Sequence, residues 1–322
     1  MPATLRLVSA LLATLAIGAG TALAQDWPAK QAVKVVVPFT AGSATDIVAR
    51  TVFDQVSKQV GQSFVTENRG GAGTTLGMAA VAKADPDGYT LLAHSTSHVV
   101  VQSTYAKLPF NVGEDFAGIS LLATLPFVAA TATKYKTLKD LITAGKAPGS
   151  SINYGTAGVG SSGQLFMERF RMAAGFPATH VPFRGTPEGM TEVVAGRLDM
   201  YPAPVLNAIE LARDGRISVL AVSSAKRAPL MPNVPTLAEA GLPGYEAANW
   251  WGLVATGGTP RPIIEKLHGA VVKALDTDKA RMQFEAEGAQ ISPLGPDEMT
   301  RFLASETEKW AKVVRQANIK AE

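Results

Sequence analysis

The sequence predicts an α/β protein of two lobes around a central cleft, joined by two crossover strands. Three observations carry this. Short apolar runs alternate with stretches of helical periodicity, so strands and helices alternate. The alternation occurs twice, in units of similar size on either side of residues 119–131. Two long extended apolar stretches, at 119–131 and 247–255, stand where the chain would cross between the units.

The elements follow in order. Val33–Pro38 is a strand, apolar apart from Lys34. A helix from about Ala44 to Val60 sets Val48, Val52, Val56 and Val60 four apart on one face. Ser63–Glu67 is a strand, Thr75–Ala84 a helix, Asp85-Pro86-Asp87-Gly88 a turn and Tyr89–Ala93 a strand. This βαβαβ order implies a parallel sheet with helices on both faces. Beyond the first extended stretch come helix 138–144, strand 151–154, helix 163–174, strand 179–183, helix 187–195 and strands 198–201 and 219–222. Helices 262–275 and 296–317 close the chain and return to the first lobe. The expected division is a signal peptide at 1–24, lobe one at 25–125 and 247–322, and lobe two at 126–246.

The first 24 residues read as an export signal. Arg6 precedes a largely apolar Leu7–Ile17, and Ala22-Leu23-Ala24 is a small-x-small cleavage site. Gly18, Gly20 and Thr21 break the stretch short of a membrane span. Of the 322 residues, 47% are hydrophobic and 18% charged, a globular composition. A net charge of +3 without a Lys/Arg cluster argues against nucleic acid. The absence of cysteine removes disulfides, thiolate metal sites and thiol nucleophiles. Such a chain suits a bacterial periplasm and relies on its core for stability.

Two strand-to-helix loops invite a ligand. The first, Phe39-Thr40-Ala41-Gly42-Ser43, is small and uncharged. Ser43 with Asp46 makes a Ser-x-x-Asp cap, and Thr45 falls in the first helical turn. Its small residues let backbone N–H groups approach an anion at the positive end of the helix. An ordinary well-capped turn is the alternative. The second loop, Thr156-Ala157-Gly158-Val159-Gly160-Ser161-Ser162, repeats the arrangement, with Ser161 and Gln164 as a capping box. Gly158-x-Gly160-x-x-Gly163 matches the dinucleotide fingerprint, but no carboxylate ends the next strand, which argues against a nucleotide. Ser95, Thr96 and Ser97 add hydroxyls after the third strand. Arg184 is either a carboxylate partner or a solvated surface group. Asn68-Arg69-Gly70-Gly71-Ala72-Gly73 is read as a simple turn. Trp250 and Trp251 read as hinge or core packing, although one could line the cleft.

His94 and His98 are four apart but are not read as lying on a helix, no HExxH pattern or cysteine accompanies them, and no cofactor or metal is expected. Gly-x-Ser-x-Gly is missing, which weakens a serine hydrolase using Ser161 or Ser162 with His180 as base. Paired helix termini on one cleft favour a binding protein, not an enzyme.

Eight segments, in this order, resemble one family: PFTAGSATDIVAR, VTENRGGAGTTLG, AKADPDGYTLL, NYGTAGVGSSGQL, HVPFRGTPE, AGRLDM, LAVSSAKRAPLMPNVPTLAEAGLPGYE and WWGLVATGGTP. The chain resembles the extracytoplasmic solute-binding proteins of tripartite tricarboxylate transporters, the Bug family. The resemblance implies a type II periplasmic binding fold closing on a small carboxylate, held by backbone N–H groups and waters between Phe39–Thr45 and Thr156–Ser162. It implies that Asp199 and Ser95–Ser97 shape specificity. The family's paired glycines read Gly42-Ser43 here, and its Arg-Pro-Gly reads Arg69-Gly70-Gly71. Membrane transporter subunits are the expected partners of a monomeric, periplasmic protein. A ligand-dependent partner of a sensor kinase is the rival reading.

Overall fold

A computed structural model describes residues 27–286 and 289–320; the expected signal peptide and its cleavage after Ala24 lie outside them. Lobe one opens with β1 (Val33–Val37), α1 (Ala44–Val60), β2 (Phe64–Asn68), a 3₁₀ turn at Ala72–Thr74, α2 (Thr75–Ala82), β3 (Thr90–Ser95) and α3 (Ser97–Thr104). The long strand β4 (Phe116–Thr131) leads into lobe two. There follow α4 (Leu138–Lys146), β5 (Asn153–Thr156), α5 (Ser162–Ala174), β6 (Thr179–Pro182) and α6 (Thr186–Val194). β7 (Met200–Pro204), α7 (Val205–Arg213) and β8 (Ser218–Val222) complete that lobe. β9 (Ala248–Thr256) returns to lobe one, which ends with α8 (Arg261–Leu275), α9 (Asp278–Ala286), β10 (Gln290–Ile291) and α10 (Pro296–Ala317).

The strands run β2-β1-β3-β9-β4-β7-β5-β6 in one curled sheet. β1 is parallel to β2 and β3, as the βαβαβ order requires. The lobe is nevertheless mixed, because β9 runs antiparallel to both β3 and β4. β4 pairs with β9 as far as Pro126, then with β7 from Phe127 onward. β4 and β9 are thus the two crossovers, and both lobes hang on them.

Packing explains the pattern. Ser43 caps α1 in extended conformation, and Gly61, at φ 66°, ends it. Val48, Val52 and Val56 bury against Val33, Val35 and Val37 of β1. Each such valine contributes about 1.5–3 kcal/mol by leaving water. A second cluster around Phe166, Phe170 and Tyr154 fills one face of lobe two. α10 touches both lobes: Leu165 of α5 packs with Trp250, Met299, Trp310 and Val314. Glu306 Oε2 accepts from the indoles of Trp250 and Trp310 at 2.9 and 2.8 Å. Among the described residues no helix is long and apolar enough to cross a membrane.

Three helices were not expected: α3, α7 and α9. α3 carries Val99-Val100-Val101, a β-branched run that disfavours a helix locally. Burial of all three valines, and packing on α10, overrides that preference.

Candidate functional site

The two strand-to-helix loops meet across the cleft, and they are built alike. In lobe one Gly42 has φ 77°, and its N–H donates to Asp46 Oδ2 at 2.9 Å. Ser43 Oγ accepts from Asp46 N at 3.4 Å. In lobe two Gly160 has φ 76°, and its N–H donates to Gln164 Oε1 at 2.7 Å. Ser161 Oγ accepts from Gln164 N at 3.3 Å. Each loop is therefore Gly, Ser cap, two first-turn positions, and a polar side chain that reaches back to the glycine. The left-handed φ is why glycine stands before each cap.

This device consumes some donors and leaves others open. Among the described residues the N–H groups of Ala44, Thr45 and Gly163 have no partner. They are first-turn positions, where a helix cannot satisfy its own N–H groups. Ser162 N donates across the cleft to Ser97 Oγ at 3.0 Å. These termini face a cavity lined by Phe39, Ser43, Ala44, Thr45, Ser95 and Asn249 from lobe one and its crossover. Ala157, Ser161, Ser162, Gly163, Thr186 and Tyr201 line it from lobe two, and Phe127, Pro202, Pro204 and Trp251 complete it. No side chain on this lining is charged. Two helix ends with open N–H groups thus meet at a lining without a charged side chain, an arrangement that favours an anion.

Asp46, in the first turn of α1, is buried, and burial raises its pKa. Hydrogen bonds from Arg50, the Gly42 amide and Asn68 outweigh that and hold it below the usual carboxylate range. Arg50 Nε lies 2.9 Å from Asp46 Oδ1 and Asn68 Nδ2 lies 3.0 Å from it. The Asp46 charge is therefore spent on the loop itself.

The lobes are closed on one another. Asn207 Nδ2 donates to Gly42 O at 2.8 Å. A Cβ built on Gly73 would lie 2.3 Å from Val159 O, and one on Gly185 only 1.9 Å from Thr40 Oγ1. The 71–74 segment, expected to be a plain turn, is thus a cross-seam contact. It holds Ala72 and Thr74 at φ 45° and 84°. The cavity left between the termini is only about 30 Å³, room for about one water. A malate-sized guest needs the lobes wider apart than this. A second pocket of about 470 Å³ opens at the seam beside it, shares Ala157, and carries Arg184, Glu188, Thr74 and Tyr105 on its walls. A groove of about 820 Å³ between α8, α9 and β10 lies away from every cleft loop.

The expected site residues divide accordingly. Phe39, Ser43, Thr45, Ser95, Ala157, Ser161 and Ser162 line the cavity. Thr40, Gly42, Gly158 and Gly160 shape its loops from the seam, whereas Ala41 is exposed. Thr156 supports the second loop from behind: its Oγ1 donates to Gly158 O and accepts from Gly158 N. Ser97 bridges to Ser162. Thr96 lies beneath, accepting from Trp250 N and donating its own N–H to Asn249 Oδ1, both at 3.4 Å. Arg184 stands at the seam pocket and not in the cavity.

Asp199 is elsewhere. It precedes β7 at the amino end of the sheet, the end opposite the cleft. Its carboxylate accepts from Tyr135 OH at 3.1 Å and Asn153 N at 2.9 Å, and pairs with Lys134. That is a clamp across strand starts. The sequence left Gly163, Phe127, Tyr201 and Asn249 outside the expected site; Ala44 falls within the expected Phe39–Thr45 span, and Trp251 is the one of the two tryptophans that lines the cleft. Gly163 is legible as a first-turn position; Phe127, Tyr201 and Asn249 arrive through long-range pairing of β4, β7 and β9.

Neither Ser161 Oγ nor Ser162 Oγ is hydrogen-bonded to a histidine; His180 bonds Thr156 and Gln164 instead. Among the described residues no group of three His, Asp or Glu is placed to hold a metal. Two α/β lobes on paired crossovers, closing helix termini over a small uncharged cleft, define the class of two-lobed solute-binding proteins.

Comparison with known proteins narrows this. The family model described as "Tripartite tricarboxylate transporter family receptor" matches residues 48–319, and the chain belongs to that family. It is similar to the periplasmic binding protein BugD, 28% identical with a TM-score of 0.86 over 91% of this chain and 99% of that one. It is similar to MatC from Rhodopseudomonas palustris with bound malate, at 32% identity and TM-score 0.83, covering 89% and 100%. It is also similar to R. palustris Rpa4515 with adipate, at 32% identity and TM-score 0.87, covering 92% and 99%.

Proposed function

We propose that this protein is a periplasmic solute-binding protein that captures a small carboxylate between its lobes and delivers it to a tripartite tricarboxylate-type membrane transporter. One observation carries the reading: unpartnered amides of two helix N-termini converge on a cavity without a charged side chain. A carboxylate supplies the acceptors those amides lack. Malate and adipate in the similar proteins are both dicarboxylates, which supports the choice of ligand class.

Closure is what makes the site strong. Each N–H bond to a charged acceptor contributes about 1.5–3 kcal/mol, and more once water is excluded. Three or four such bonds bring the complex towards about 8 kcal/mol, the micromolar range, after the cost of closing. The guest's acid group sits between the termini of α1 and α5. Its remainder extends through Ala157 towards the seam pocket, whose lining includes Arg184.

Thermal shift and calorimetry with malate, adipate and benzoate test this on the mature chain. At least one carboxylate is expected to raise the melting temperature and bind one to one. Absence of binding by every carboxylate, with binding of a sugar or a cation instead, contradicts it.

A further inference from the structure

The two loops share one design but not one anchor. In lobe one the back-reaching side chain, Asp46, is pinned by the permanent charge of Arg50. In lobe two its counterpart, Gln164, is pinned by His180, a residue that does not line the cleft. Gln164 Nε2 lies 3.2 Å from His180 Nδ1, and His180 Nε2 lies 2.6 Å from Thr156 Oγ1.

The hydrogen-bond inventory leaves one assignment. Gln164 Oε1 is occupied by the N–H of Gly160, so its NH₂ must face His180. His180 Nδ1 therefore accepts, and Nε2 carries the proton and donates to Thr156 Oγ1. The Thr156 hydroxyl hydrogen then goes to Gly158 O at 3.1 Å, while Oγ1 accepts from Gly158 N at 3.2 Å. Every polar atom in the chain has a role. One imidazole thus fixes the loop at both Gly158 and Gly160. We propose that His180, in its neutral Nε2–H form, is the positioning residue of the second anion-binding loop, and that a second proton on Nδ1 loosens the loop and releases the guest. This rests on the carboxylate-binding reading given above.

The mechanism is a conflict of donors. A proton on Nδ1 points at the Gln164 NH₂. Turning the amide over satisfies the imidazolium but sets NH₂ against the Gly160 N–H. Neither orientation satisfies both ends, so the turn before α5 must shift. The groups facing His180 are few. Tyr154 of β5 stacks on the ring at 5.0 Å between centroids. Glu168 of α5 accepts from Tyr154 OH at 2.7 Å and pairs with Arg171. Burial pushes the His180 pKa down and Glu168 partly restores it, leaving it at about 4. The neutral form is thus the resting one at pH 7, and release belongs to acid conditions.

The test uses ¹⁵N-labelled mature protein and two variants, His180→Phe and Gln164→Glu. Without ligand, the Gly160 amide resonance of the wild type is expected to move with the His180 titration, and His180→Phe to abolish the movement. Gln164→Glu presents an acceptor to both the imidazolium and Gly160. It is expected to raise the His180 midpoint above 6.5 and to remove the Gly160 response, which keeps the test open if His180→Phe does not fold. With malate and adipate as probes, wild type is expected to bind about tenfold more tightly than His180→Phe at pH 7. That ratio should shrink towards one as the pH falls to 4; taking the ratio cancels titration of the probe itself. A Gly160 resonance indifferent to His180 protonation, or a pH-independent ratio, overturns the proposal. The ligand-free arm reads the relay whether or not a carboxylate binds, so its result is separate from that of the function proposed above.

Discussion

The indole N–H of Trp251 donates to Thr45 Oγ1 at 2.8 Å, joining residues 206 apart in the chain. The bond ties the returning crossover β9 to the first turn of α1, at the wall of the cavity. Trp251 is only 1% exposed and packs in the lobe-one core. Removing the N–H while keeping a ring isolates the bond. Trp251→Phe is expected to cost about 1–3 kcal/mol in urea unfolding, through the lost bond and partial cavity. It should also weaken carboxylate binding several-fold in calorimetry, because Thr45 is freed to rotate.

Ala44 occupies the first helical position of α1 and faces the cavity. A carboxylate placed there satisfies the same amides as the guest. Ala44→Asp is expected to leave the circular dichroism spectrum unchanged and to lower carboxylate affinity by at least 100-fold. Undiminished affinity would mean that the α1 terminus takes no part.

Gly73 is a reporter of closure. Its φ of 57° is tolerable for alanine at about 1–2 kcal/mol, but a Cβ would fall 2.3 Å from Val159 O across the seam. Gly73→Ala should keep the open protein folded, and hinder the closed one. Small-angle scattering without ligand is expected to show a larger radius of gyration than the wild type, because the seam contact seen here is barred.

His98 is fully buried beside His94 and Phe116, with neither ring nitrogen hydrogen-bonded among the described residues. Burial pushes its pKa down to about 4, from 6.5. Between those values the unfolded chain takes up a proton that the folded one refuses. Its share of stability is therefore full above about pH 6.5, and falls as pH drops towards 4. The loss is on the order of 3 kcal/mol. His98→Leu is expected to flatten the denaturation midpoint over that window by a similar amount.

Much of this was legible in the residues themselves. The caps at Ser43 and Ser161, the glycines before them, and the valine stripe of α1 are local signals, and each forms the element it announces. Asp199, which the resemblance implies shapes specificity, stands at the strand starts with Tyr135 and Asn153, a placement that only strand pairing makes. The sequence leaves open which of Trp250 and Trp251 lines the cleft; Trp251 does, and packs as well, because β9 pairs with β3 and β4 at once. The valines of α3 spell a strand locally; burial between β3 and α10 makes them helical. Which amides stay open could not be read from spacing, since the back-bonds of Asp46 and Gln164 remove the glycine donors that looked most available.

The most direct measurement follows backbone amide chemical shifts of the ¹⁵N-labelled mature protein as malate or adipate is titrated in. The largest changes are expected at Ala44, Thr45 and Gly163, the open first-turn amides of α1 and α5, and at Ser162 between them, whose amide bonds Ser97. Changes confined to the α8–α9 groove or to the Asp199 clamp, with those four amides unmoved, would contradict it.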